Sequence, residues 1–192
     1  MKPVHRRVMF AIVIPLGVSL ILGLLMMDLT GRNKFLETEN PSAPLYSRII
    51  GYDETEVRNH WNWLGADGRE VERRFLLVDL AFPIAFGSGF LAGLFLAWGG
   101  AGRPFRVGWL VVPVMITVLA DWTENLIQLV QLSRFSNDVP LQVAWIRVAS
   151  FATSTKLLFF IVSIALIIVL CSLILFRGQV GTTKTSDNPD KQ

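Results

Sequence analysis

The run Asp121-Trp122-Thr123-Glu124-Asn125 sets two carboxylates and an amide inside an otherwise apolar stretch. Asp79 and Lys156 stand in two further apolar stretches. On a helix, Asp121, Glu124, Asn125, Gln128 and Gln131 fall within an arc of about 120°, so one helix carries a single polar stripe. Carboxylates beside an ammonium can form ion pairs, and acids whose pKa values are pushed apart suit proton transfer. Oxygen ligands such as Asp79, Asp121 and Glu124 would also suit magnesium or calcium, but Lys156 beside them argues against a cation. The candidate polar cluster is therefore Asp79, Asp121, Glu124, Asn125 and Lys156, with Gln128 and Thr153 as accessories and no metal or cofactor.

Other chemistry is poorly supported. No nucleophile elbow, cysteine pair or metal-ligand motif is present, so enzyme status stays open. Cys171 lies in an apolar run and reads as packing or lipid-facing filler. His5 and His60 sit in different segments and do not suggest a zinc site. A nucleic-acid partner is excluded, because no basic stripe lies on a polar domain.

The elements that must position these groups are membrane spans. The 192 residues are 52% hydrophobic and only 17% charged, and mean hydropathy is +0.49. Four runs approach or exceed the ~20 residues a helix needs to cross ~30 Å of hydrocarbon. They cover about 8–27, 75–98, 107–131 and 150–176. Barrel strands are disfavoured, since these runs are continuously apolar rather than alternating. The expected fold is all-α: a four-helix transmembrane bundle forming one domain over 1–177, with a disordered tail over 178–192. The first run has basic flanks but no small-x-small cleavage site after it, and reads as an uncleaved anchor.

Basic residues set the expected orientation. With the N-terminus inside, the inner segments carry a net charge of +6, the outer segments −1 and the spans −2. Trp98 and Trp109 flank the short inner loop, where interfacial aromatics belong. The expectation is a multi-pass protein of the plasma (inner) membrane with both termini cytoplasmic.

The outer loop, 28–74, is the sizeable polar region. Asn40-Pro41-Ser42-Ala43-Pro44 is rich in turn formers. Asp53 can cap a short helix, with Glu56 reaching back from the third position. Val57, Trp61 and Leu64 then share one face, and Gly65 is the expected stop. Pro83 and Pro113 lie inside spans two and three, where proline kinks a helix and frees a carbonyl. Gly89-x-x-x-Gly93 permits close helix contact and reads as ordinary packing.

Depths agree across the spans. From their outer ends, Asp79 lies about 6 Å in, Glu124 about 10 Å, Asp121 about 15 Å and Lys156 about 9 Å. All four fall in the outer half of the bilayer. Isolated, they would cost about 10–14 kcal/mol on the lenient insertion scale, so they must pair, protonate or meet water. One interhelical polar pair, worth about 0.6 kcal/mol, would suffice for register, so three acids and a base exceed what register requires.

Several of these features together resemble a family of small bacterial four-helix integral membrane proteins. They are Leu64-Gly65 with Gly68-Arg69, Asp79 followed by Phe82-Pro83, Asp121-x-x-Glu124-Asn125, and Lys156. The resemblance covers roughly 50–165, and Glu70-Val71-Glu72 departs from it where an aromatic would follow Gly-Arg. It implies a shared intramembrane site and no particular activity. Three functions are in play: an outward-facing site for a small molecule or lipid, a proton- or ion-coupled transport component, and a structural or partner-binding subunit. The oligomeric state is left open by the sequence.

Three carboxylates against one ammonium leave an excess of negative charge, and crowded acids raise one another's pKa. At least one of Asp79, Asp121 and Glu124 is expected to be protonated at neutral pH. Isotope-edited infrared spectra should show a carboxylic-acid C=O band at pH 7, and three ionised carboxylates would defeat the expectation.

Overall fold

The computed structural model describes residues 3–30, 45 and 50–183. These form five helices, and no strand occurs among the described residues. They are α1 (Pro3–Thr30), α2 (Glu54–Asp79), α3 (Phe82–Gly100), α4 (Gly108–Ser136) and α5 (Val143–Thr183). Four segments are long and apolar enough to cross a membrane: Val8–Thr30, Phe82–Gly100, Gly108–Ser136 and Val143–Arg177. The turn-rich segment Asn40–Pro44 lies outside the described residues, as does the tail beyond Thr183.

The second expected span begins later than its hydropathy implied. Residues 75–79 belong to α2, and a break at Leu80 and Ala81 separates them from α3. Pro83 is the cause. It lacks the N–H that would bond the Asp79 carbonyl, and its ring crowds that same carbonyl. Instead of kinking the interior of a span, Pro83 stands in the first turn of α3, where its fixed φ is favourable.

α2 begins with the capping box read from sequence: Asp53 Oδ1 accepts from Glu56 N, and Glu56 Oε2 accepts from Asp53 N, both at 2.9 Å. Gly65 interrupts the helix with φ +64°, a left-handed conformation that side chains other than glycine resist. The first helical stretch thus stops at Gly65, and a second, not expected from the sequence, follows the kink and continues to Asp79. Arg69 bridges the interruption, donating from Nη1 to the Trp61 carbonyl at 3.1 Å. Its guanidinium lies 5.5 Å from the centre of the Phe135 ring. On the exposed side of α2, Arg73 and Arg74 flank Glu70 and hold its carboxyl below the usual range.

α4 packs most extensively on α5, and α1 on α3. Two apolar cores result. The first unites Phe90, Leu94, Leu110, Val114, Leu170 and Ile174. The second unites Tyr52, Val57, Trp61, Leu76, Leu132 and Ile146. Along both α4 and α5, a polar layer separates the two. Outward-facing side chains are apolar, with Leu20, Leu24, Leu126, Val130, Phe151 and Ile161 all more than half exposed. A water-soluble monomer rarely presents so much apolar surface, and a bilayer accommodates it.

The α1–α3 contact depends on a missing side chain. Pro15 has no N–H to bond the Ala11 carbonyl, and that carbonyl faces Gly93, where an added Cβ would come within 2.6 Å of it. Gly89 sits against Val18 in the same seam. Gly93→Ala should therefore lower the thermal stability of the purified protein by about 1–3 kcal/mol through overpacking. Gly99→Ala, with open space at the added Cβ, should change it by less than about 1 kcal/mol. Equal effects would show that the seam is not tight at Gly93.

Candidate functional site

α4 supplies most of the polar layer because its stripe points toward α5 and α2. Glu124 and Asn125 are 0% and 1% exposed, and Asp121 8%. From α5, Lys156 Nζ donates to Asp121 Oδ1 at 2.8 Å and to Glu124 Oε2 at 2.5 Å. One ammonium thus bridges two carboxylates a helical turn apart. Charge-assisted bonds of this length are the strong class, and the low dielectric around them strengthens the attraction further.

Asp79 joins from the other side. The Pro83 break places it at the end of α2, and its Oδ2 accepts from Asn125 Nδ2 at 3.0 Å. The break is pinned to α4 as well, since Trp122 Nε1 donates to the Leu80 carbonyl at 2.8 Å. The two neighbours Trp122 and Asn125 therefore fix the carbonyl and the carboxylate on either side of one helix end.

A third wing extends toward the second apolar core. Gln128 Nε2 donates to Glu124 Oε1 at 3.0 Å and to the Tyr52 hydroxyl at 2.9 Å. Tyr52 is held in turn by its backbone, whose N–H donates to Ser150 Oγ at 2.8 Å. Burial first, and the Glu124 carboxylate second, push the Tyr52 phenol well above its usual range, so it remains a proton donor. Thr153 lies in hydrogen-bonding reach of both Tyr52 and Glu124 and donates to the Ala149 carbonyl at 3.1 Å. Gln131, the last residue of the stripe, does separate work: its Oε1 accepts from Gln142 N at 2.9 Å at the start of α5.

Beside this network lies a cavity of about 330 Å³ to which all five helices contribute. Asp79, Asp121 and Lys156 form its polar wall, with Thr117 nearby. Its apolar walls come from Met26 and Met27 of α1, Phe75 of α2, Phe82 and Phe86 of α3, and Phe160 of α5. The volume lies in the range of small-molecule pockets, which are mostly apolar with a few convergent polar groups.

The structure brings together all five residues of the expected cluster and both accessories, Gln128 and Thr153. Tyr52 was not among them. Its only sequence signal is its place next to the Asp53 cap, and nothing in helical spacing links a loop residue to Gln128. The cavity's aromatic walls were equally hidden, because three different helices supply them. Comparisons with family models, with curated proteins and with solved structures find no significant match.

Removing Lys156 should leave two buried carboxylates without their cation. Lys156→Met is expected to cost about 3–5 kcal/mol, read as a lower unfolding temperature and a smaller yield of monodisperse protein. Adding Glu124→Gln should recover part of the loss. If the double variant is no better than the single one, Lys156 is not serving as a shared counter-charge.

Proposed function

We propose that this chain is an integral membrane protein that binds a small molecule or lipid in the cavity walled by Asp79, Asp121 and Lys156. The observation that carries this reading is the cavity itself. It combines an aromatic body with an ionisable wall, and that wall sits at the level of the polar layer. A cluster serving only to hold helices in register would need no such space beside it.

The setting we propose is the plasma membrane, with both termini cytoplasmic and the polar layer in the outer half of the bilayer. The excess of Lys and Arg on the segments assigned to the inner side supports that orientation. At the inner loop, Trp98 Nε1 donates to the Phe105 carbonyl at 3.0 Å, and the Arg103 guanidinium lies 5.4 Å from the Trp98 ring centre. This is a suitable anchor for a membrane–water interface. The α4 helix is about 43 Å long at 1.5 Å per residue, which exceeds a ~30 Å slab. Its outer end, with the α2 segment around Trp61, then stands above the hydrocarbon and roofs the polar layer. We include in this proposal that Asp121-x-x-Glu124-Asn125 marks a family of such proteins.

Transport is less well supported. The core around Phe90, Leu94, Leu110 and Leu170 is apolar, so among the described residues no polar path leads from the cluster to the inner side. A scaffolding role is favoured by one fact, that Lys156 is already paired within the protein.

Native mass spectrometry of protein released gently from its membrane distinguishes these readings. A bound mass should accompany the wild type and be lost in Leu157→Trp, which fills the cavity, with folded yield preserved. An equal adduct in both, or none in either, would count against a ligand cavity and leave the scaffolding role.

A further inference from the structure

The walls of the cavity differ in what they can offer a ligand. Asp79 Oδ2 is held by Asn125 and Asp121 Oδ1 by Lys156. The second oxygen of each carboxylate has no hydrogen bond among the described residues. Lys156 is the one basic side chain among the described lining residues, and two of its three N–H groups are committed to Asp121 and Glu124. The local balance is three acids to one base. Protonating one acid still leaves the wall negative or neutral, never positive.

A phosphate or carboxylate headgroup would meet two acceptor oxygens and a cation already shared by two acids. A donor headgroup would meet two acceptors in need of protons. The remaining volume is apolar and modest. At about 30 Å³ per water-sized group it holds roughly eleven such groups, which suits a small molecule or part of one alkyl chain rather than a whole two-chain phospholipid.

Resting on the ligand-binding reading above, we propose that the cavity selects single-chain amphiphiles whose polar end donates hydrogen bonds, an amine above all, and rejects those with an anionic end. The amine or hydroxyl donates to Asp79 and Asp121 at the head of the cavity. The chain lies among Phe75, Phe82, Phe86 and Phe160. Asp79 is a specificity residue in this arrangement, because its free oxygen faces the ligand while its other oxygen is fixed by Asn125.

The experiment uses the full chain in lipid nanodiscs, with empty nanodiscs subtracted for bilayer partition, and three probes of equal length: dodecylamine, dodecanol and dodecanoate. Dodecylamine should bind most tightly and dodecanoate least. Asp79→Asn, which still accepts from Asn125, should weaken dodecylamine by about tenfold or more, the loss expected for a charge-assisted bond, and should leave dodecanol within about threefold. Tighter binding of dodecanoate than of dodecylamine overturns the headgroup assignment while leaving the cavity as a binding site. Saturable binding of no probe, or binding indifferent to Leu157→Trp, overturns both. Where Asp79→Asn does not fold, the ranking of the three probes on the wild type decides.

Discussion

A single ammonium shared by two carboxylates governs this structure. Lys156 reaches from α5 to both Asp121 and Glu124 on α4. In a low-dielectric interior none of the three groups is tolerable alone, and together they are. Everything else in the polar layer follows from that arrangement. Gln128 saturates the second oxygen of Glu124, Tyr52 takes the other proton of Gln128, and Asn125 turns the same helix face toward Asp79. The two apolar cores then close above and below a layer that they cannot themselves fill.

Helical periodicity revealed the α4 half of the site. Charged residues in an apolar run are conspicuous, and 3.6-residue spacing puts Asp121, Glu124, Asn125 and Gln128 on one face without reference to any partner. Rise per residue also suggests that Asp79 and Lys156 share a height, but the depth given to Asp79 assumes a span starting at 75, whereas the apolar segment starts at Phe82 and Asp79 ends the preceding helix. Depth does not report which atoms meet. That Lys156 bridges Asp121 and Glu124 while Asp79 goes to Asn125 depends on helix rotation about the bundle axis, which no single-chain pattern encodes.

Pro83 shows where hydropathy misleads. Phe75, Leu76, Leu77 and Val78 are as apolar as a span, so hydropathy alone starts the second span there. Backbone chemistry decides otherwise, because the missing N–H of Pro83 ends α2 at Asp79. The consequence for the site is local but large. A carboxylate expected on the side of a continuous helix instead occupies a helix end, with the neighbouring Leu80 carbonyl tied to Trp122. Tyr52 was hidden for a different reason. It lies in a segment without periodicity, and tertiary contact alone carries it to Gln128.

The connection between α4 and α5 has a bearing on how the charges of these two apolar helices are compensated. It is short, and Arg134 fastens it by donating from Nε and Nη2 to the Pro140 carbonyl at 3.0 and 2.9 Å. Threaded alone, α4 would present two acids to hydrocarbon and α5 one base, at about 2.5–3.5 kcal/mol each. As a hairpin, the two helices neutralise one another across their shared face. The tight turn thus makes α4 and α5 an electrostatically self-sufficient hairpin, in which Lys156 on one arm answers Asp121 and Glu124 on the other.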